Sequence, residues 1–258
     1  MSITPNRSKF RQVADAIRAA VQRGDHPRGE ALPKEEELAE QLGVSRATVN
    51  DAIRVLVAEG LVRIHRGKGM FVTELPPIVR DAAVRHSRAH RERGGSRGSL
   101  ATELAELGYR LRSDNSVGPG RPPDVVAEVL GVDAGTDSVI VRARHMFADD
   151  IPIQIATSYI PLSIGADTPI AELDSGVGGI SSRLAELGHA QVEIEERITV
   201  RPPAPEEAGF LKMSEDQRVY EILHIGWTGD DRPVKATVYV MPTHQWSLRY
   251  RYPAEPLA

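Results

Sequence analysis

Arg142 and Arg144 stand two residues apart in Val139–Phe147, a run rich in β-branched residues that reads as a strand. Residues two apart on a strand share a face. Two guanidinium groups on one face suit a phosphate or a carboxylate, which each holds through two parallel hydrogen bonds. The next run, Ile153–Ile160, reads as the hairpin partner and carries Thr157 and Tyr159, again two apart, as neutral hydrogen-bonding groups. A competing reading pairs the arginines with acids such as Glu193, Glu195 or Glu196, and spacing alone leaves both open. Other chemistry is scarce. The chain has no cysteine, which excludes disulfides, thiolate metal sites and a cysteine nucleophile. His86 and His90 are four apart with no third ligand nearby, so they read as solvated side chains rather than a metal site. No carboxylate pair with a nearby histidine and no nucleophile elbow is found, so no enzyme site is expected.

The elements that carry these groups fall into two sets. Ser8–Arg23 places Phe10, Val13, Ala14, Ile17, Ala20 and Val21 at three- and four-residue steps and stops at Gly24, the pattern of an amphipathic helix. After a stretch rich in Pro and Gly, helical spacing resumes over Lys34–Leu42. Gly43 breaks it, and Ser45 caps a third helix that starts at Arg46 and ends near Glu59. Helix, short turn, helix is the arrangement in which the second helix presents its N-terminal residues to the DNA major groove. Gly60–His65 and Met70–Thr73 then read as short strands. Between them, Arg66-Gly67-Lys68-Gly69 forms a tight hairpin whose cations suit phosphate. The order predicts a winged helix-turn-helix.

The rest of the chain repeats itself at a spacing near 80. Leu104-Ala-Glu-Leu-Gly-Tyr109 matches Leu184-Ala-Glu-Leu-Gly-His189, and Pro122-Pro123 matches Pro202-Pro203. Asp149-Asp150-Ile151-Pro152 returns, slipped by one, as Asp230-Asp231-Arg232-Pro233. Each copy reads as a helix, a strand-like stretch, a short Pro-initiated helix and a hairpin, which predicts a duplicated α+β unit. Arg142 and Arg144 have Ile222 and His224 as counterparts, so the arginine pair belongs to one copy alone.

Charge divides unevenly over this plan. The net charge is −4. Residues 1–77 carry 12 Lys/Arg and 10 Asp/Glu, residues 78–99 carry 6 and 2, and residues 100–258 carry 14 and 24. A mildly basic third is thus joined to an acidic two-thirds by an Arg-rich connector, which suggests a polyanion partner for one part only. Pro76-Pro77 and Gly94-Gly95-Ser96-Arg97-Gly98 bound that connector. No apolar run approaches a membrane span and no signal peptide is legible, so a cytoplasmic protein without membrane attachment is expected.

The motifs carry a resemblance. Pro27-Arg-Gly-x-x-Leu-Pro33, Glu37-Leu38-Ala39, Val44-Ser45-Arg46-x-Thr48-Val49, Leu56, Glu59-Gly60-Leu61 and Gly67-x-Gly69-x-Phe71-Val72 closely resemble the DNA-binding domain of GntR-type bacterial transcription regulators, over about residues 8–74. The resemblance implies DNA contacts from Ser45, Arg46, Thr48 and Asn50, with Gly67 and Lys68 in the wing. Glu36 stands where many relatives have an arginine, and a carboxylate cannot grip phosphate. Asn50 replaces a frequent arginine and can still read a base edge, since an amide can bond adenine bidentately. An operator different from the commonest one in the family is expected.

Val139-x-x-Arg142-x-Arg144, the turn with Pro152, and Thr157-Ser158-Tyr159-Ile160-Pro161 are similar to the effector-binding UTRA domain of the HutC subfamily, over about residues 97–253. That likeness implies an α+β fold similar to chorismate lyase, with Arg142, Arg144, Thr157, Tyr159 and Ser99 around a ligand. Lys235 stands where relatives have a late acid, which favours a further acidic group on the ligand. Alternatively it pairs with Glu221 or Glu193.

The expected fold class is therefore α+β. A winged helix-turn-helix occupies residues 1–75 and an Arg/Gly-rich linker 76–98. A chorismate-lyase-like α+β domain with an antiparallel sheet, serving effector binding and dimerisation, fills 99–258. The expected function is a homodimeric, ligand-responsive regulator, a repressor at an inverted-repeat operator in double-stranded DNA, controlled by a small anionic effector and needing no cofactor. The alternatives are a constitutive DNA-binding protein with a ligand-dead second domain, or a lyase-like enzyme.

Overall fold

The structure, a computed structural model, describes residues 8–65, 67–82, 98–176 and 178–252, without the side chains of residues 98 and 99. The chain divides into two compact units, one built on the residues up to Pro77 and the other on most of the chain from Ile78 onward.

The described residues of the first unit form three helices and a two-stranded wing. Helix α1 (Lys9–Arg23) buries Val13, Ala14 and Ile17, which its 3.6-residue period brings to one stripe. It ends at Gly24, whose φ of 86° is the left-handed cap that glycine supplies without strain. Helix α2 (Glu35–Leu42) opens with Glu35, Glu36 and Glu37, acids that suit the positive end of the helix dipole. Helix α3 (Arg46–Ala58) is capped by Ser45 and buries Val49, Ala52, Ile53 and Leu56. Strands β1 (Val62–His65) and β2 (Gly69–Val72) pair antiparallel with Val62 opposite Val72. The core joins α1, α2 and α3 to the inner residues of the wing, Val62, Met70 and Val72. Arg18 of α1 pairs with Glu59 at 2.8 Å, tying α1 to the end of α3.

The second unit centres on a six-stranded sheet made of β4 (Leu111–Gly120), β5 (Val139–Ala148), β6 (Ile151–Pro161), β7 (Glu193–Arg201), β8 (Val219–Trp227) and β9 (Pro233–Pro242). Its order is β4-β5-β6-β9-β8-β7, and every described pairing in it is antiparallel. Two three-stranded meanders thus join side by side along β6 and β9. Among the described residues, five α-helices accompany the strands: α4 (Gly98–Glu106), α5 (Asp124–Leu130), α6 (Leu162–Gly165), α7 (Gly179–Glu186) and α8 (Pro205–Leu211). The order α4-β4-α5-β5-β6 recurs as α7-β7-α8-β8-β9, so the internal sequence repeat corresponds to a repeat of elements.

Each hairpin also contains one β-bulge at matching positions. Met146 faces Gln154 while Phe147 faces Pro152, which makes Ile153 the extra residue. Gly226 faces Lys235 while Trp227 faces Pro233, which makes Val234 the extra residue. A one-residue slip moves every following side chain to the other face of the sheet. One face packs Val139, Tyr159, Leu223, Ile225 and Ala236 against Val126 and Leu130 of α5. The other carries the polar groups described below.

The Arg-rich stretch expected to be linker begins with structure. Ile78–Asp81 forms β3, which pairs parallel with β10 (Trp246–Arg249), Ile78 opposite Trp246 and Arg80 opposite Leu248. Ile78 and Arg80 are buried. Arg66, His86 and His90 lie outside the described residues.

Candidate DNA-reading surface and effector site

The start of α3 gathers four of the expected DNA contacts. Ser45 accepts from the Thr48 amide at 3.2 Å, and the two hydroxyls bond each other at 2.8 Å. Both therefore stabilise the helix end. Ser45→Ala is expected to lower stability by about 1 kcal/mol, read as a thermal melt of the N-terminal unit. Arg46 is exposed, and its Nε donates to Glu35 at 3.0 Å while Nη1 lies 3.0 Å from Glu36. Asn50, half-buried one turn further on, donates from Nδ2 to the other Glu35 oxygen at 3.1 Å. These hydrogen bonds, with Arg46 first, hold the Glu35 carboxyl below its ordinary range. Gly67 and Lys68 are exposed at the wing tip, where Gly67 has a φ of 77° and the Lys68 amide closes the turn on the His65 carbonyl at 2.9 Å.

On the sheet, Arg142 and Arg144 share a face as expected. Among the described residues, neither is ion-paired with a carboxylate, and Glu195 and Glu196 are instead engaged by Arg197 and Arg80. Arg142 is buried and donates from Nη1 to the carbonyls of Ile170 at 2.7 Å and Glu172 at 2.5 Å, and from Nη2 to Leu173 at 3.1 Å. Three of its five N–H groups are spent on these carbonyls. The other two, on Nε and Nη2, make up the side-on fork that takes a carboxylate or phosphate bidentately. Burial first, and then the neighbouring Arg144 charge, lower the Arg142 pKa, with Asp174 opposing them; of these, the Arg144 charge is the one that an anion bound between the two guanidinium groups would offset.

The expected neutral partners need correction. Opposite Arg142 stands Ser158, not Thr157. Thr157 and Tyr159 point to the other face, where Tyr159 packs in the apolar cluster under α5 and burial pushes its phenol up. The bulge at Ile153 is the cause. Continuing the pairing of Phe147 with Pro152 would have set Thr157 against Arg142, and the extra residue shifts the partner by one. Lys235 is buried on the arginine face, in β9, two strands from Arg142. Glu221, its suggested partner, pairs with Arg201 and points to the opposite face. Ser99 lies in the α4 backbone with its side chain outside the described residues.

Register exposes a set of residues that spacing did not. Arg142 faces Ser158, Ser158 faces Thr237, Thr237 faces His224 and His224 faces Glu196, a polar rung across five strands. The Ser158 and Thr237 hydroxyls bond at 2.9 Å, and His224 Nδ1 lies 3.0 Å from Glu196. Glu196 closes the rung on Arg80 of β3, through Oε2 at 3.0 Å and a second bond at Oε1, and accepts from the Tyr250 hydroxyl at 2.7 Å. Burial would raise the Glu196 pKa, but the His224 and Arg80 hydrogen bonds hold the carboxyl well below its ordinary range. Burial drives His224 down to about 4. An ionised carboxylate only accepts, so neutral His224 carries its proton on Nδ1.

Two sequence families match this chain: bacterial regulatory proteins of the gntR family over residues 9–72 and the UTRA domain over residues 115–246. The chain belongs to the GntR family. Its UTRA domain fits the HutC subfamily. This GntR regulator is 29% identical over 258 residues to an uncharacterized HTH-type transcriptional regulator of Streptomyces coelicolor, covering 97% of this chain and 96% of that one. It is 31% identical over 227 residues to a second such regulator, of Rhizobium meliloti, covering 88% and 87%. The transcriptional repressor NagR of Bacillus subtilis is 28% identical over 169 residues, covering 65% and 64%. The crystal structure of PhnF from Mycobacterium smegmatis shares the fold with a TM-score of 0.57 at 20% identity, covering 94% of this chain and 100% of that one. The GntR regulator thus joins a winged helix-turn-helix DNA-binding domain to a UTRA effector domain with an antiparallel sheet. No described helix is long and apolar enough to cross a membrane.

Proposed function

We propose that this regulator is a cytoplasmic, homodimeric repressor whose grip on an inverted-repeat operator is controlled by a small anion held on the UTRA sheet. The observation that carries the anion is Arg142. It is a buried guanidinium beside Arg144, with no carboxylate partner among the described residues and its side-on fork left by the carbonyl contacts. Ser158 and Thr237 supply neutral hydroxyls on the same face, and Lys235 adds a third cation there. Thr157 and Tyr159 are left out of the site because they point to the opposite face of the sheet from Arg142. The chain acts by binding rather than by turnover, since His224 and Glu196 are bonded to each other inside the fold and Glu196 is also held by Arg80. Two-fold symmetry of the dimer dictates two-fold symmetry of the operator. Coupling through differential affinity makes DNA and effector weaken each other reciprocally.

Thermal-shift screening of phosphate- and carboxylate-bearing metabolites against the full chain tests this reading. A binder at one hundred times its dissociation constant stabilises by about 2.7 kcal/mol. The same compound is expected to release operator DNA in a gel shift. Arg142→Ala with Arg144→Ala retains DNA binding and loses both responses. A bound anion that leaves operator affinity unchanged, or a double variant that responds like the parent, refutes the proposal.

A further inference from the structure

We propose that Glu35 is a positioning residue of the DNA-reading surface, one whose carboxylate fixes which base edges Arg46 and Asn50 present themselves to. The inference rests on α3 being the element that reads DNA. Glu35 is the first residue of α2, yet both its oxygens are used on α3: Oε2 takes Arg46 Nε at 3.0 Å and Oε1 takes Asn50 Nδ2 at 3.1 Å. Those two side chains are four residues apart, hence stacked on one face of the helix. With side-chain exposure of 23%, Glu35 is more sheltered than Arg46 at 65%. The carboxylate lies behind and the guanidinium in front.

A carboxylate only accepts, so it chooses between the two ends of the Asn50 amide. Nδ2 turns toward Glu35, which leaves Oδ1 and the second amide hydrogen for a base. That donor–acceptor pair matches the N7 acceptor and N6 donor of adenine in the major groove. An amide without such an anchor flips, and presents its oxygen or nitrogen to whichever base is there. Arg46 is constrained in the same way. With Nε committed to Glu35, guanine is read end-on through Nη1 and Nη2. Glu36 plays a different part. It holds only Nη1 of Arg46, at 3.0 Å, and its negative charge competes with a base or phosphate for that guanidinium. Glu36 therefore lowers affinity, whereas Glu35 sets preference.

The test is selection of bound duplexes from a random pool by the full-length protein, with urea melts of each variant alongside. Wild type enriches an inverted repeat. In Glu35→Gln the repeat spacing stays, and preference falls about tenfold at one base pair per half-site, the lower part of the range for a bidentate base contact. That base pair is the one whose preference Asn50→Ala also removes, and adding Glu35→Gln to Asn50→Ala changes nothing further there. Glu36→Gln tightens binding and leaves base preference as it was. If Glu35→Gln keeps the wild-type preference at every position, or acts as strongly in the Asn50→Ala background, the positioning role is wrong. Failure of wild type to enrich any sequence instead overturns the α3 reading itself, and this inference with it. Should Glu35→Gln unfold, Glu35→Asp is read in its place, since its shorter carboxylate reaches only one of the two partners and must relax the same base pair.

Discussion

Arg80→Met is expected to destabilise the UTRA domain by about 3 to 5 kcal/mol, the range for breaking one side of a buried ion pair. The two side chains are exposed by only 1% and 7%. Removing the guanidinium leaves Glu196 charged inside the fold, with only the His224 and Tyr250 bonds to hold it. Glu196→Gln is expected to cost a similar amount, because it strands Arg80 instead. Urea unfolding followed by far-ultraviolet circular dichroism reads both. The double variant Arg80→Met with Glu196→Leu recovers most of the loss, since an apolar pair carries no desolvation penalty. A single variant within about 1 kcal/mol of wild type would contradict the buried-pair account. Native-state hydrogen exchange in Arg80→Met should show β3 and β10 opening first.

The second large effect is on acid stability. Folded His224 stays neutral down to about pH 4, whereas an unfolded histidine takes up its proton near 6.5. Across that interval the unfolded state binds more protons, so stability rises with pH and is lost as pH falls. The whole interval amounts to about 3 kcal/mol. Groups around the ring pull both ways: burial, the largest cause, acts with Lys235 and Arg80 against the cation, and together they outweigh Glu196, which favours it. Glu196 adds to the same trend at lower pH, because its carboxyl is held well below the ordinary range. His224→Gln keeps a donor for Glu196 and should flatten the slope between pH 6.5 and 4. A urea midpoint for wild type that is the same at pH 7 and pH 4.5 would falsify the assignment.

Local chemistry made the first unit readable. Gly24, Gly43 and Ser45 mark helix ends through backbone conformation and capping, and these signals act within a few residues. The arginine pair was legible for the same reason, since period two is a property of any strand. What stayed hidden depends on distance along the chain. The face occupied by Thr157 turns on a single extra residue, Ile153, and nothing in the hairpin's composition announces it. Arg80 and Glu196 meet across 116 residues, so neither has a local pattern to betray it. Within the Arg-rich connector, Ile78-Val79 after Pro76-Pro77 was the one strand-like signal, and the surrounding charge masked it. The carbonyls that hold Arg142 belong to the 3-10 turn Pro169–Ala171 and the residues just after it, whose sequence carries no hint of the contact.

The pairing of β3 with β10 also gives the protein a built-in optical reporter. The chain has two tryptophans, Trp227 and Trp246, and both fall in the second unit. Trp246 is buried opposite Ile78 and donates its indole N–H to the carbonyl of the bulged Ile153 at 2.9 Å. Indole emission therefore follows the effector domain and is blind to the winged helix. A red shift reports water reaching Trp246 as the strand after Pro77 lifts away. With no native thiol to compete, one cysteine placed in the N-terminal unit would accept an energy-transfer dye, and the two halves of the regulator could be watched separately in one cuvette.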